Sequence, residues 1–332
     1  MPSVITHYSF AKKYKKDIDD KYLHAYYLGA QGPDHFFAYG MIPFRKRPNK
    51  EEVNSLGNIT QINELTPNYI GFIEYAKNSE DKELLFSYID GLLTHYSLDR
   101  CCHPFIFYQT GFTDRKEDSK EIHEYYNFSH LIYEVFTDLI IGKKENTYGP
   151  GKKKIKIKNS QLKIISKMWS EVNKNYQKIN HIEDDSFYKS VKDYQTALSL
   201  TYSPLGIKKW FLGVIFGKKS FPYGLSAPRN LNKFKDIDLL NELHSDWYMP
   251  NNDGPRNESF YDLFDVNAKQ LYFELHECLK DAKNNKKYEE QLIKIANHIN
   301  HEGIIPNSEK LTWKLIWPKQ FIDDIIEPNI KH

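Results

Sequence analysis

Apolar positions recur with a helical period along most of the chain, and the strict alternation typical of β-strands is rare. The pattern predicts helices over residues 8–28, 50–62, 67–78, 80–103, 117–141, 159–177, 184–201, 258–282 and 286–301. Pro104 is expected to end the fourth of these helices and Gly142 the fifth. The sequence therefore predicts an all-α, multi-helix fold.

Two stretches interrupt the helical pattern in the second half of the chain. Residues 142–158 hold seven lysines, which predicts a loop with at most a short extended segment at 153–158. Residues 203–258 are rich in loop-forming sequence. We expect one domain over 1–200 and a helical, loop-rich C-terminal region over 201–332 that packs on it and is not independent.

One predicted helix carries a stripe of metal-ligand side chains. His95, Asp99 and His103 are spaced at i, i+4 and i+8, so they share one helical face. The neighbouring positions are mostly apolar, and burying Asp99 among them without a metal or a partner would cost several kcal/mol. The spacing therefore favours metal ligation over an ordinary helix surface.

A second stripe occurs on the next predicted helix, where His130, Glu134 and Asp138 repeat the same spacing. Two such helices facing each other would form a pocket for several metal ions. Asp138 is one turn further along, and we interpret it as an outer hydrogen-bond partner or a solvated side chain rather than a ligand.

Two other residues are candidates by context. His7 lies in VITHYSFA at the start of the first helix, and alone it is a weak signal. Asp34 lies in LGAQGPDHFF, a turn held by glycine and proline, which suits a metal ligand or a general base. The simpler alternative for Asp34 is an Asx-turn.

Composition narrows the class of protein further. The chain has 332 residues with 46 basic and 44 acidic side chains, so nothing in its charge demands nucleic acid, which is an unlikely partner. Three cysteines do not make a disulfide framework. We expect no signal peptide, because residues 1–16 have no long apolar run and no small-residue cleavage site. We expect no transmembrane helix, because the longest apolar run, WFLGVIF at 210–216, is too short to span a bilayer. A cytoplasmic location is the resulting expectation.

Four motifs in order, ITH, LGAQGPD, HYSLDRCCHP and SHLIYE, resemble the zinc-dependent phospholipase C family. This family includes alpha-toxin, bacterial phospholipases C and the catalytic domain of glycosylphosphatidylinositol-specific phospholipase D. The resemblance covers about residues 4–140. It implies a phospholipase C or P1-nuclease-like helical domain with a helical C-terminal extension, and one to three zinc ions as cofactor.

The resemblance also implies roles for individual residues. His95 and Asp99 match ligands of paired metals, with Asp99 as a bridging carboxylate. His103, His130 and Glu134 match the complete ligand set of a further zinc ion.

The N-terminal half supplies the remaining implied ligands. His7 matches the histidine ligand near the N-terminus, and Asp34 matches an acidic residue that serves as general base or as a ligand. The implied metal ligands are thus His7, Asp34, His95, Asp99, His103, His130 and Glu134, with Asp34 also the candidate catalytic residue.

The chain departs from the family pattern in two ways. Secreted members bind zinc through a mature N-terminal tryptophan, whereas this chain begins Met1-Pro2. The family also supplies a histidine between the GPD-like turn and the central helix, but residues 36–94 contain none. Gln61 or Asn63 is expected to occupy that place, although an amide is a poorer zinc ligand than imidazole.

The resulting functional expectation is zinc-dependent hydrolysis of a phosphodiester, of phospholipase C type, on a phospholipid or related substrate. Two alternatives stay open: a hydrolase of a nucleotide or other soluble phosphoester, and a metal-binding protein with an incomplete, inactive site. Peripheral membrane contact is a further expectation, through the lysine-rich loop at 143–158 or the segment IKKWFLGVIFGKK at 207–219. The favoured interpretation of these two segments is nevertheless a solvated loop and a buried helix.

Overall fold

The computed structural model describes residues 4–42, 45–111, 120–175, 179, 182–203, 205–217, 221–226, 237–249 and 254–306. The fold is all-α, as predicted. In chain order the α-helices are α1 (Val4–Tyr14), α2 (Leu23–Gly29), α3 (Lys50–Ile62), α4 (Leu65–Lys77), α5 (Lys82–Thr110), α6 (Lys120–Lys144), α7 (Gly151–Lys154), α8 (Asn159–Asn175), α9 (Ser186–Thr201), α10 (Ile207–Phe216), α11 (Phe221–Gly224), α12 (Phe260–Asp262), α13 (Lys269–Lys283) and α14 (Glu289–Ala296).

Shorter elements connect these helices. 3₁₀ turns occupy Asp20–Tyr22 and Asp34–Ala38, and a π-helical turn, Leu263–Ala268, joins α12 to α13. Strands β1 (Trp247–Tyr248) and β2 (Pro255–Arg256) form a two-residue antiparallel ladder. It is the one sheet within the described ranges.

One large hydrophobic core runs through both halves of the described chain. Trp169 on α8 is fully buried and donates a 2.7 Å hydrogen bond from Nε1 to the hydroxyl of Tyr88 on α5. Leu263 and Leu275, from the C-terminal part, belong to the same cluster of buried residues. The described part of the C-terminal region therefore shares its core with the N-terminal helices, while a boundary near residue 200 stays a prediction.

Helix α2 packs closely against α5. A Cβ atom on Gly29 would lie 2.1 Å from the carbonyl oxygen of Tyr88, and one on Gly91 would lie 2.0 Å from that of Tyr26. Only glycine allows backbones to approach this closely. The crossing places the turn that follows α2, and with it Asp34, beside the middle of α5.

The loop after this turn is anchored by a buried acid. Asp193 on α9 accepts hydrogen bonds from Gly40 N at 3.0 Å, Arg45 Nη1 at 2.7 Å and Arg47 Nε at 3.0 Å. Its side chain is fully buried, so the guanidinium groups offset a desolvation cost that the carboxylate could not bear alone. The contacts fix the segment that carries Asp34.

Several predicted helix boundaries were wrong. The first predicted helix, 8–28, is two helices, because the polar run after α1 includes Asp17 with a φ of 40°. Pro104 does not end α5, which continues to Thr110. Gly142 does not end α6 either; a Cβ there would lie 2.6 Å from Cγ2 of Ile5, so this glycine serves the approach of α1.

Differences in the second half are smaller. The predicted extended segment at 153–158 is partly the short helix α7, and the final predicted helix is shorter, at Glu289–Ala296. Within the segment 207–219, Ile207–Phe216 forms helix α10, but no residue of α10 is buried, contrary to the favoured interpretation. Expectations for Pro2, for the helix start at 117–119, for residues 176–177, for residues 218–219 and for residues 227–236 lie outside the described residues.

Candidate metal centre

Asp99 lies at the centre of a buried cluster of imidazoles. Its Oδ1 is 3.2 Å from Nε2 of His7 and 3.7 Å from Nε2 of His103. Its Oδ2 is 2.9 Å from Nε2 of His95 and 3.9 Å from Nδ1 of His301. The two oxygens of one carboxylate thus face different sets of nitrogen donors.

A second group lies between α5 and α6. Nε2 of His103 is 3.9 Å from Oε1 of Glu134, and Nε2 of His130 is 3.1 Å from the same oxygen. One ligand atom from each of the three residues lies within 4.8 Å of the others. The two helical stripes therefore face each other across a space that one cation can fill.

Asp34 reaches the cluster from the turn after α2. It forms a third group with His7 and His95, again with ligand atoms within 4.8 Å of one another. Nε2 of Gln61 donates a 2.9 Å hydrogen bond to Oδ1 of Asp34. Gly32 makes the turn possible, because its φ is +53° and a Cβ there would lie 2.0 Å from Cδ2 of His95.

His301 is the site residue that sequence reasoning missed. It is 2% exposed and joins His95 and Asp99 in a group of potential ligands. Its backbone N–H donates to the carbonyl of Gln61 at 3.2 Å. Gln61 was expected to replace the missing histidine, yet its side chain binds Asp34, and the imidazole near that position comes from the far end of the chain.

Contacts with α5 hold the segment that delivers His301. Arg100 Nη1 donates to the last carbonyls of α14, those of Ile295 at 2.9 Å and Ala296 at 3.2 Å. The hydroxyl of Tyr96 donates to the carbonyl of Ile299 at 2.8 Å. A guanidinium beside the C-terminal carbonyls of a helix is favourable to the helix dipole. Arg100 and Tyr96 sit on the same helix as the ligand stripe, so α5 positions both.

Pro104 contributes to this packing from inside α5. Proline has no N–H, so the carbonyl of Arg100 lacks its usual helical partner. A Cβ on Gly303 would lie 2.6 Å from this carbonyl oxygen and 2.5 Å from Cγ of Pro104. The turn after α14 therefore packs directly on the proline, two residues beyond His301.

Asp138 fixes the N-terminus of α1. Its carboxylate accepts hydrogen bonds from Ile5 N at 3.1 Å, Thr6 N at 2.7 Å and the Thr6 hydroxyl at 2.7 Å. Burial raises the pKa of Asp138 to about 7, while these hydrogen bonds oppose the rise. Asp138 is buried, so the interpretation as a solvated side chain was wrong. Because His7 directly follows Thr6 in the chain, the contacts of Asp138 help to position a candidate ligand, in agreement with the interpretation as an outer hydrogen-bond partner.

The electrostatics of the cluster favour a bound cation. Burial would raise the pKa of Asp99, but His95, His103 and His7 bring it well below its usual value. Burial lowers the pKa of His103, yet Asp99 and Glu134 raise it to about 9. Two buried carboxylates thus draw positive charge into the space between the helices, and a metal ion competes with protons for the same nitrogens.

Burial also acts on His301. It lowers the pKa of this imidazole to about 3, so the ring is neutral and carries a lone pair at ordinary pH. Nδ1 of His301 is buried and has no hydrogen-bond partner among the described residues. A lone pair aimed into a cluster of carboxylate and imidazole groups is what a metal ligand requires.

The donor set suits zinc. Nδ1 of His103 lies 3.1 Å from the carbonyl oxygen of His301, which only accepts, so in the neutral ring Nδ1 carries the proton and Nε2 faces Glu134 as a lone pair. Imidazole nitrogens and carboxylate oxygens are the usual zinc donors outside cysteine sites. The residues present therefore fit a zinc centre.

An all-α fold that gathers imidazoles and carboxylates onto two facing helices defines a candidate multi-metal site. The family model for zinc-dependent phospholipase C matches residues 6–183, just over half of the 332 residues. The protein belongs to the zinc-dependent phospholipase C family, and phosphodiester hydrolysis with zinc is the activity that membership implies. Searches of curated proteins and of solved structures returned no match.

The matched segment contains all seven ligands predicted from the sequence, whereas His301 lies outside it. Among the described helices, none combines the length and apolar character needed to cross a bilayer.

Proposed function

We propose that this protein is a zinc-dependent phospholipase C that hydrolyses a membrane phospholipid and releases its phosphorylated head group. The observation that carries the proposal is the position of Asp99, whose two oxygens face different imidazoles in a buried cluster. A carboxylate in this position suits a bridge between two metal ions, and paired metals are well suited to phosphodiester hydrolysis.

The ligands divide into two neighbouring sets. His103, His130 and Glu134 would hold one zinc ion, with an open position for water or substrate. Asp99 would bridge the remaining metal positions. His95 and His301 would bind on the Oδ2 side of this carboxylate, at 2.9 and 3.9 Å from that oxygen.

His7 and Asp34 complete the second set. His7 lies on the Oδ1 side of Asp99, at 3.2 Å. Asp34 forms a group with His7 and His95, which supports its carboxylate as a ligand that comes from the turn after α2.

Zinc in these positions would lower the pKa of bound water to about 7 and neutralise charge on the phosphate. The protein's own contribution is orientation and proton transfer. The Gln61 amide fixes Oδ1 of Asp34, so Oδ2 remains to orient a water molecule and to accept its proton. The carbonyl oxygen of His301 orients the ring of His103, and Asp138 holds the N-terminus of α1, the helix that carries His7.

His301 bears on the alternative of an incomplete, inactive site. That alternative drew on the lack of histidine at residues 36–94. Because an imidazole from the C-terminal part lies beside Asp99, this lack no longer favours inactivity. Hydrolysis of a soluble phosphoester remains the competing outcome of the activity test.

The test compares three substrates with one enzyme preparation. Phosphatidylcholine vesicles, a soluble phosphorylcholine ester and single-stranded DNA are incubated with the zinc-loaded, the chelator-treated and the zinc-restored protein. We expect release of phosphorylcholine from the lipid, loss of turnover after chelation and recovery with zinc. Turnover of the soluble ester or of DNA without turnover of the lipid, or turnover of none of the three substrates, would overturn the proposal.

A matched pair of variants connects turnover to the site. Glu134→Gln removes a buried carboxylate of the zinc group, and Glu64→Gln removes an exposed carboxylate that pairs with His298 at 3.1 Å. We expect Glu134→Gln to lower turnover by at least about 100-fold, since metal-site ligands and their partners commonly carry effects of this size. Glu64→Gln should match the wild-type enzyme.

A further inference from the structure

Helix α10 is apolar and lies on the protein surface. Trp210 is 63% exposed, Phe211 53%, Val214 65% and Ile215 65%. Of the fourteen large hydrophobic side chains that are exposed among the described residues, eight fall between Leu200 and Phe216. Soluble proteins rarely leave so contiguous an apolar surface open to water, so this concentration marks an interaction site.

The sequence around α10 carries charge of one sign. Residues 194–235 contain seven lysines and arginines and no aspartate or glutamate, in a chain whose net charge is only +2. Basic residues flank the apolar run on both sides, at Lys208 before it and at Lys218 and Lys219 after it. An apolar helix with a basic surround complements an anionic lipid surface, where the rings enter the interface and the cations meet head groups.

The structure connects α10 to the metal centre through α11. Nζ of Lys209 donates to the backbone carbonyls of Tyr223, at 3.2 Å, and of Ser226, which ties α10 to the segment around α11. Gly224 at the end of α11 packs on α6, where a Cβ would lie 2.9 Å from side-chain carbons of both Phe128 and Leu131. These two residues flank the candidate ligand His130.

We propose that α10 is an interfacial anchor that inserts into the surface of an anionic phospholipid bilayer. The apolar helix supplies binding by burial of its aromatic and branched side chains, and the basic surround supplies attraction to anionic lipid. The proposal of membrane binding does not depend on the proposed phospholipase activity. A further consequence is that the anchor would deliver lipid through α11 to the candidate ligands on α5 and α6. This consequence rests on the proposed phospholipase activity.

Vesicle sedimentation tests the anchor with the full-length protein. The vesicles contain phosphatidylcholine with phosphatidylserine, or phosphatidylcholine alone, at low and high salt. We expect wild-type protein to bind the anionic vesicles more tightly, and to lose part of this binding at high salt because the attraction is screened.

Two double variants distinguish a specific effect of α10 from a general effect of exposed apolar side chains. Phe211→Ser with Ile215→Ser should weaken vesicle binding at least about tenfold, because two large side chains no longer enter the interface. Leu243→Ser with Ile293→Ser changes residues that are 79% and 43% exposed elsewhere, and it should bind like the wild type. All four positions are exposed, and far-ultraviolet circular dichroism checks that both variants keep their helices.

Three results would overturn the anchor. The first is wild-type protein that does not bind the vesicles, and the second is an equal loss of binding in both double variants. The third is a wild-type dimer, seen by sedimentation equilibrium, that the α10 variant converts to monomer, since α10 would then bind a second copy of the chain.

Activity measurements keep the two proposals apart. Hydrolysis of a soluble phosphorylcholine ester should be equal in the wild type and the α10 variant, while hydrolysis of anionic vesicles should fall in the variant. A wild-type protein without any hydrolysis refutes the proposed function, and the sedimentation result still decides the anchor.

Discussion

Nδ1 of His301 lies 3.9 Å from Oδ2 of Asp99, although His301 belongs to the turn after α14 and Asp99 to the middle of α5. The C-terminal part of the chain therefore reaches the centre of the candidate zinc site. The segment that the family model matches ends at residue 183, so the site depends on residues beyond it.

The first prediction concerns metal content. His301→Ala should lower bound zinc by about one ion per chain, because one metal position loses an imidazole that the buried cluster cannot replace. Zinc per chain is measured by mass spectrometry after gel filtration. The control is His298→Ala, three residues away, whose side chain is 59% exposed and pairs with Glu64. Equal zinc in both variants would remove His301 from the ligand set.

The second prediction concerns the turn that carries Asp34. Gly32→Ala should lower both stability and zinc content, since the new Cβ overlaps the His95 ring and alanine is strained at a φ of +53°. We expect a loss of about 1–3 kcal/mol in unfolding free energy. Gly254→Ala is the matched control, because Gly254 also has positive φ but nothing lies within 4 Å of its Cβ position. Its zinc content should be unchanged.

The third prediction concerns the support of His7. Asp138→Ala removes the acceptor for two backbone N–H groups and one hydroxyl, and it should cost about 1.5–3 kcal/mol in unfolding free energy. Thr6→Val removes only the hydroxyl contact and should cost less. Urea unfolding measures both, and zinc titration of the folded variants should show weaker binding in Asp138→Ala. Wild-type stability in Asp138→Ala would show that the carboxylate does not hold α1.

How much the sequence predicts differs between helix faces and helix ends. The i, i+4 stripe of His95, Asp99 and His103 follows from helical geometry alone, so its shared face was predictable. The ends of α5 and α6 were not predictable. Pro104 packs against Gly303 and Gly142 packs against Ile5, and neither residue ends its helix. A proline in a helix is tolerated where another segment packs on the exposed carbonyl, and a single sequence does not reveal that partner.

His301 was missed for a similar reason. It lies in the sequence NHINHEG, after a helix, with no spacing to any other ligand. Its position results from Arg100, which binds the end of α14, and from Tyr96, which binds the carbonyl of Ile299. Contacts between residues almost 200 positions apart leave no local pattern, so three-dimensional packing was needed to find this residue.

The fourth prediction concerns pH and a buried pair outside the metal centre. Nδ1 of His276 lies 2.9 Å from Oδ1 of Asp90, and the pair is buried between α5 and α13. Burial lowers the pKa of His276, but the hydrogen bond to Asp90 outweighs it and the net pKa is raised. The folded state therefore holds the His276 proton more tightly than the unfolded chain does.

The sign of the effect follows from this raised pKa. His276 contributes its full stabilisation below its unfolded pKa of about 6.5, and the contribution disappears as pH rises through the folded pKa. His276→Gln should cost about 1.5–3 kcal/mol at pH 6 and less at pH 9, as measured by urea unfolding at constant zinc. His298→Gln is the exposed control and should show a small cost at both pH values. A cost for His276→Gln that grows with pH would contradict the assignment.

The central claim is that zinc binds between the facing ligand stripes of α5 and α6. His7 from α1, Asp34 from the turn after α2 and His301 from the turn after α14 complete the site. Anomalous diffraction on either side of the zinc absorption edge, from crystals of the zinc-loaded protein, tests it most directly. The account predicts one peak among His103, His130 and Glu134 and at least one more beside Asp99, within ligand distance of His95 and His301. Zinc peaks elsewhere on the protein, with none at these two positions, would contradict it.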